Sequence, residues 1–144
     1  MAKFDITTSG PVDFVEEKEP VPGYRITGKA DAQGTFIGEG GGTFATNEFA
    51  QPNWETGNNE VNGEATVTAA NGDEMHIHYF GSSPAPNMET GDFDDDLRWE
   101  ITGGTGQFEG ATGTGRLTAH GNINAYPCIV ASHLEGDIEG PNIS

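Results

Sequence analysis

The sequence predicts an all-β fold, a small closed antiparallel β-barrel of about eight strands, and three observations carry that expectation. Its apolar residues fall in short alternating runs, the period of a half-buried strand, rather than at helical spacing. Glycine-rich turns separate the runs. Glycines at 38 and 40 to 42 interrupt an apolar run as a sharply bent barrel strand would require. Closure of such a set of strands also removes exposed sheet edges.

The 144 residues are the length of one domain. Residues 1–22 read as an acidic lead-in, with Lys3 to Thr8 adding one edge strand, and 23–144 as the barrel domain. Strands are expected near 24–32, 34–49, 60–69, 74–82, 96–102, 113–124 and 126–138, with irregular loops at 50–59 and 83–95 and no internal repeat. The hairpin around Asn71-Gly72 can be set in register. A two-residue loop would place unlike residues on one face. A three-residue loop, Ala70 to Gly72, pairs Val67 with Met75, Ala65 with Ile77 and Gly63 with Tyr79. The buried face selects that register, which sets Glu64 opposite His78 and Thr66 opposite His76.

Alternation sorts the other strands in the same way. Tyr24, Ile26, Leu97, Trp99, Ile101 and Leu117 form one face, and Arg25, Thr27, Arg98, Glu100, Arg116 and Thr118 the other. Which face looks inward is open at this level. Apolar residues inward is the default for a small barrel.

Six basic residues against 23 acidic ones give a net charge of −17. This opposes binding to nucleic acid and to anionic membrane. The longest apolar stretch, Cys128 to Ala131, is too short to cross a bilayer. Met1 to Gly10 lacks the basic start and apolar centre of a secretory signal, so cytoplasmic and mature secreted locations both fit. A single Cys128 excludes an intrachain disulfide.

The stretch Ile101-Thr-Gly-Gly-Thr-Gly-Gln-Phe-Glu-Gly-Ala-Thr-Gly-Thr-Gly115, with Thr68 to Asp73 and Gly34 to Gly40, resembles bacterial proteins of the allene oxide cyclase-like barrel group. Plant dirigent proteins carry a similar Gly-Gly-Thr-Gly-x-Phe turn. The resemblance implies an eight-stranded barrel, a homotrimer, and an internal cavity for a small apolar or aromatic molecule. It further implies cofactor-free isomerisation, cyclisation or tautomerisation, including demethylation of an aromatic such as a phenazine. Dirigent proteins have Ala-Arg-Gly after the shared turn. Here Thr112 stands in that arginine's place, which argues against dirigent activity.

Several constellations are candidates for chemistry. His133 and Glu135, two apart on one strand, suit an acid–base pair, with Glu100 as a further proton carrier and Arg98 as an anion stabiliser. Tyr24, Met75, Tyr79, Trp99 and Cys128 would line an apolar, aromatic pocket. His76 and His78, with Glu64 opposite, suggest a divalent metal. Asp92, Asp94, Asp95 and Asp96 suggest calcium held by a flexible loop at 91–96. The competing functions are a cofactor-free proton-transfer enzyme, a non-catalytic ligand-binding or structural barrel, and a metal-dependent site at His76 and His78.

Overall fold

The computed structural model describes residues 1–143 and is an eight-stranded closed antiparallel barrel. Its strands are β1 (Ala2–Glu17), β2 (Gly23–Gly34), β3 (Gly42–Pro52), β4 (Asn58–Thr68), β5 (Glu74–Pro84), β6 (Asp92–Gly104), β7 (Thr112–Asn122) and β8 (Cys128–Glu139). Each pairs with its sequence neighbours, and β1 closes on β8 from Ala2↔Ile138 to Val12↔Cys128. A single 3-10 turn spans Gly106–Phe108. No helix is long and apolar enough to cross a membrane.

The Asn71-Gly72 hairpin has the expected register, with Val67↔Met75, Ala65↔Ile77, Gly63↔Tyr79 and Glu64↔His78. Gly72 takes the left-handed conformation (φ 94°) and its N–H donates to the Ala69 carbonyl at 2.9 Å. Glycine adopts that conformation without the Cβ penalty other residues incur.

Two departures from expectation fall in the first 50 residues. Residues 2–17 are a full barrel strand paired on both sides, not a lead-in with one edge strand. The run 34–49 is a turn followed by β3, not one bent strand. Gly38, Gly40 and Gly41 all have positive φ, and residues 35–41 fold back over the barrel end. The alternation persists across that turn because Phe36 and Ile37 pack into the core from it.

The two ends of the barrel differ. At one end, turns 35–41, 69–73 and 105–111 seal the interior. Phe36 lies between Phe4 and Phe108, with ring centroids 6.3 Å away in each case, and Phe4 meets Trp99 edge-on at 5.6 Å. Asp73 accepts from the Gln107 N–H at 3.1 Å, and the Gln107 side-chain amide donates to the Phe36 carbonyl at 3.1 Å, tying the three turns together.

Of the connections at the opposite end, two are near copies of one another. Pro52-Asn-Trp-Glu-Thr-Gly-Asn58 and Pro86-Asn-Met-Glu-Thr-Gly-Asp92 make the same hydrogen bonds. The asparagine Oδ1 accepts from the N–H groups two and three residues on, and the threonine hydroxyl accepts from the N–H two residues on. This local repeat of seven residues corrects the expectation of no internal repeat. It holds Trp54 and Met88 in solvent, 90% and 87% exposed.

Candidate active site inside the open half of the barrel

Register decides which face lines the interior. Met75, Ile77, Tyr79, Leu97, Trp99, Leu117 and Leu134 are buried, so the apolar set faces inward. Two glycines make room for the largest rings. Gly115 sits opposite Trp99, where a Cβ would collide with the indole, and the Trp99 N–H donates to the Arg116 carbonyl at 3.2 Å. Gly63 sits opposite Tyr79, where a Cβ would collide with both the phenol ring and Glu48.

Gly63 therefore has a chemical consequence. Tyr79 on β5 lies across the bare backbone of β4 and donates its hydroxyl to Glu48 Oε1 on β3 at 2.9 Å. Burial pushes the Glu48 carboxyl up to about 7, against the lowering effect of the Tyr79 hydrogen bond, with Asp95 adding like-charge repulsion. Asp95 on β6 is pushed up to about 6, first by burial, with the nearby Ser83 hydroxyl opposing and Asp94 reinforcing. The Tyr79 phenol is driven upward by burial and by the Glu48 charge, so it stays protonated. None of the groups acting on Glu48 is cationic.

Two hydroxyls accompany these acids. Thr8 Oγ1 is buried with no hydrogen-bond partner, and buried Ser83 Oγ makes no well-formed hydrogen bond but lies close enough to Asp95 to favour its ionised form. A buried hydroxyl without a partner incurs a desolvation penalty of about 1–3 kcal/mol. Thr8, Asp95, Ala119 and Ser132 border a wide, solvent-open hollow of about 510 Å³ over β1, β6, β7 and β8, which outer-face residues Asp94, Asp96, Arg116, His120 and His133 also line.

The residues expected from sequence divide by face. Met75, Tyr79, Trp99 and Cys128 are inside and buried, and Tyr24 shares their face at the mouth, 46% exposed. Burial pushes the Cys128 thiol upward, away from the thiolate. Arg98, Glu100, His133 and Glu135, expected to carry catalysis, sit on the outer wall instead. Arg98, Glu100 and Glu135 border an external groove of about 450 Å³ with Phe80 and Arg116. His133 bonds Asp5 at 2.8 Å.

The expected metal ligands do not converge. His76 bonds the Thr66 hydroxyl at 3.1 Å, and His78 bonds Glu100 at 3.3 Å and Asn62 at 3.2 Å, whereas Glu64 lies across from His78 on the exposed face. The 91–96 segment is not a flexible loop, because β6 begins at Asp92. Strand alternation turns Asp95 inward and leaves Asp92, Asp94 and Asp96 exposed, with Asp96 held bidentately by Arg116 at 2.8 Å.

Glu48 was missed from sequence, and Asp95 was assigned to the wrong set. The signal was parity. Glu48 has the parity of Phe44 and Ala50, and Asp95 that of Leu97 and Trp99. Comparison with family models, curated proteins and solved structures gives no match.

Proposed function

We propose that this chain is a small-molecule enzyme that uses the open half of its interior for cofactor-free proton transfer, with Asp95 as base and Glu48 as acid. The observation that supports this most is the pair of uncompensated carboxyls inside the barrel, raised to about 6 and about 7. Two titratable groups whose environments set them apart near neutral pH have the form of an acid–base pair. At pH 7 Asp95 is mostly ionised and takes a proton from one atom of the substrate, while Glu48, about half protonated, returns one to another in its acid form. The product is an isomer, and no electrons change hands. Tyr79 stays a neutral donor and fixes the Glu48 carboxyl, and Trp99 with Tyr79 gives the interior planar apolar walls.

The substrate class is therefore a small, neutral, largely apolar molecule with an acidic C–H or a tautomerisable aromatic ring. A cation would suit the charge, but a neutral molecule also suits the apolar walls and the protonated acid. The same class of chemistry follows from the resemblance to allene oxide cyclase-like barrels.

The test is solvent deuterium uptake, followed by NMR, into a panel of small ketones and tautomerisable heteroaromatics. Wild-type protein is expected to label at least one member. Asp95→Asn and Glu48→Gln are expected to lose about 100-fold or more of that rate while keeping the β-sheet circular dichroism, the usual size of an acid–base contribution. Equal labelling by both variants would overturn the assignment. Binding of the panel with no labelling by wild type would favour a carrier using the same interior.

A further inference from the structure

We propose that Asp5, His133 and Glu135 bind one divalent transition-metal ion of the zinc type on the outer wall, across the seam where β1 closes on β8. The three side chains have outward parity on their strands, unlike Glu48 and Asp95, although His133 and Asp95 border a common hollow. Among the described residues this is the one group of three such side chains whose donor atoms all lie within 4.8 Å of one another. The strand register places them: Asp5 stands opposite Glu135, and His133 stands opposite Thr7, two residues along from Asp5. Ligands about 2.0–2.2 Å from a metal lie about 3–3.5 Å from each other, so small rotations of three half-exposed side chains complete the set.

The chemistry of the donors selects the ion. One imidazole with two carboxylates is a mixed nitrogen–oxygen set, which favours zinc and its first-row neighbours over calcium or magnesium. Three protein ligands also leave a coordination position for water.

A second observation is electrostatic. Asp5 and Glu135 are directly opposed carboxylates on paired strands, an arrangement that destabilises a sheet. On its other side Glu135 stands opposite Arg116 of β7, but that guanidinium engages Asp96 through two 2.8 Å bonds and reaches Glu135 only as a nearby charge. Among the described residues the Glu135 side chain makes no hydrogen bond or salt bridge. His133 Nε2 bridges to Asp5 Oδ1 at 2.8 Å, and a metal ion would take the position of that proton. The Asp5 backbone is itself fixed, its N–H donating to Thr35 Oγ1 at 2.8 Å and its carbonyl accepting from the Thr35 N–H at 3.0 Å. The net charge of −17 raises the local concentration of any cation.

Isothermal titration of tag-free protein with Zn²⁺, paired with thermal melts, tests the site. The expected result is one ion per chain with micromolar affinity, proton release on binding, and a melting temperature that rises by several degrees. His133→Ala is expected to weaken binding at least tenfold. Glu135→Gln, which keeps the shape of the side chain, should do the same and covers the case in which the alanine variant folds poorly. The double variant His76→Ala/His78→Ala should bind as wild type does. Absence of binding below about 1 mM Zn²⁺, or loss of binding in the His76/His78 variant with retention in Glu135→Gln, would overturn the proposal.

Discussion

Glu48 concentrates the residue-scale consequences. Its raised value means the folded protein holds a proton there that the unfolded chain has released between about pH 4.5 and 7. Stability from this group is therefore full below about pH 4.5 and is lost as pH rises towards 7. Each pKa unit corresponds to about 1.4 kcal/mol, so the loss is on the order of a few kcal/mol. Glu48→Gln mimics the protonated acid and still accepts from Tyr79. Its melting temperature should exceed wild type's at pH 8 and match it at pH 4.5; a constant difference across that range would refute the ionisation argument. The unpartnered hydroxyl of Thr8 makes a complementary case. Thr8→Val replaces a buried hydroxyl that has no partner and should leave the ligand-free protein as stable or about 1 kcal/mol more so in urea titrations. Glu48 was hard to find because a lone glutamate in Thr46-Asn-Glu48 looks like ordinary surface, and only its parity with Phe44 gives it away.

At the scale of strands and turns, the glycines facing the two large rings explain how an eight-stranded barrel accommodates them. Gly63→Ala should displace Tyr79 from Glu48. We expect a loss of about 1–3 kcal/mol in chemical denaturation, the range for overpacking, together with a Glu48 titration moved from its wild-type position in carboxyl NMR. Unchanged stability and titration would remove Gly63 from the site. Trp54→Ala, by contrast, removes a side chain 90% exposed on a turn that satisfies its own hydrogen bonds, and should change stability by no more than about 0.5 kcal/mol. Element legibility followed local chemistry. The 70–72 hairpin could be set to the residue because Asn-Gly and a buried face agreed. The 35–41 turn was hidden because Phe36 and Ile37 carry the apolar pattern through it, and β1 was hidden by Pro11 and the acidic run from Glu16. Asp95 was lost with the start of β6, since four carboxylates in six residues read as a solvated loop.

Across the whole molecule, closure of the barrel was legible and the orientation of its wall was not. Alternation fixes two faces per strand, but a sign remains free until all eight strands are closed together. Choosing the apolar face as the interior then moved the expected catalytic group of Arg98, Glu100, His133 and Glu135 to the outside in one step. It also exposed the interior acids that the same alternation had carried unnoticed.

The aromatic seal formed by Phe4, Phe36 and Phe108 has a consequence for motion. Amide hydrogens should exchange on a gradient along every strand. Those near the seal, such as Val67, Met75 and Ile138, open only when the whole barrel unfolds, while those near the mouth, such as Ala50, Val61 and Phe93, open by local fraying. One half of the molecule then serves as a rigid anvil. The other half, which contains Glu48 and Asp95, is the one expected to exchange first.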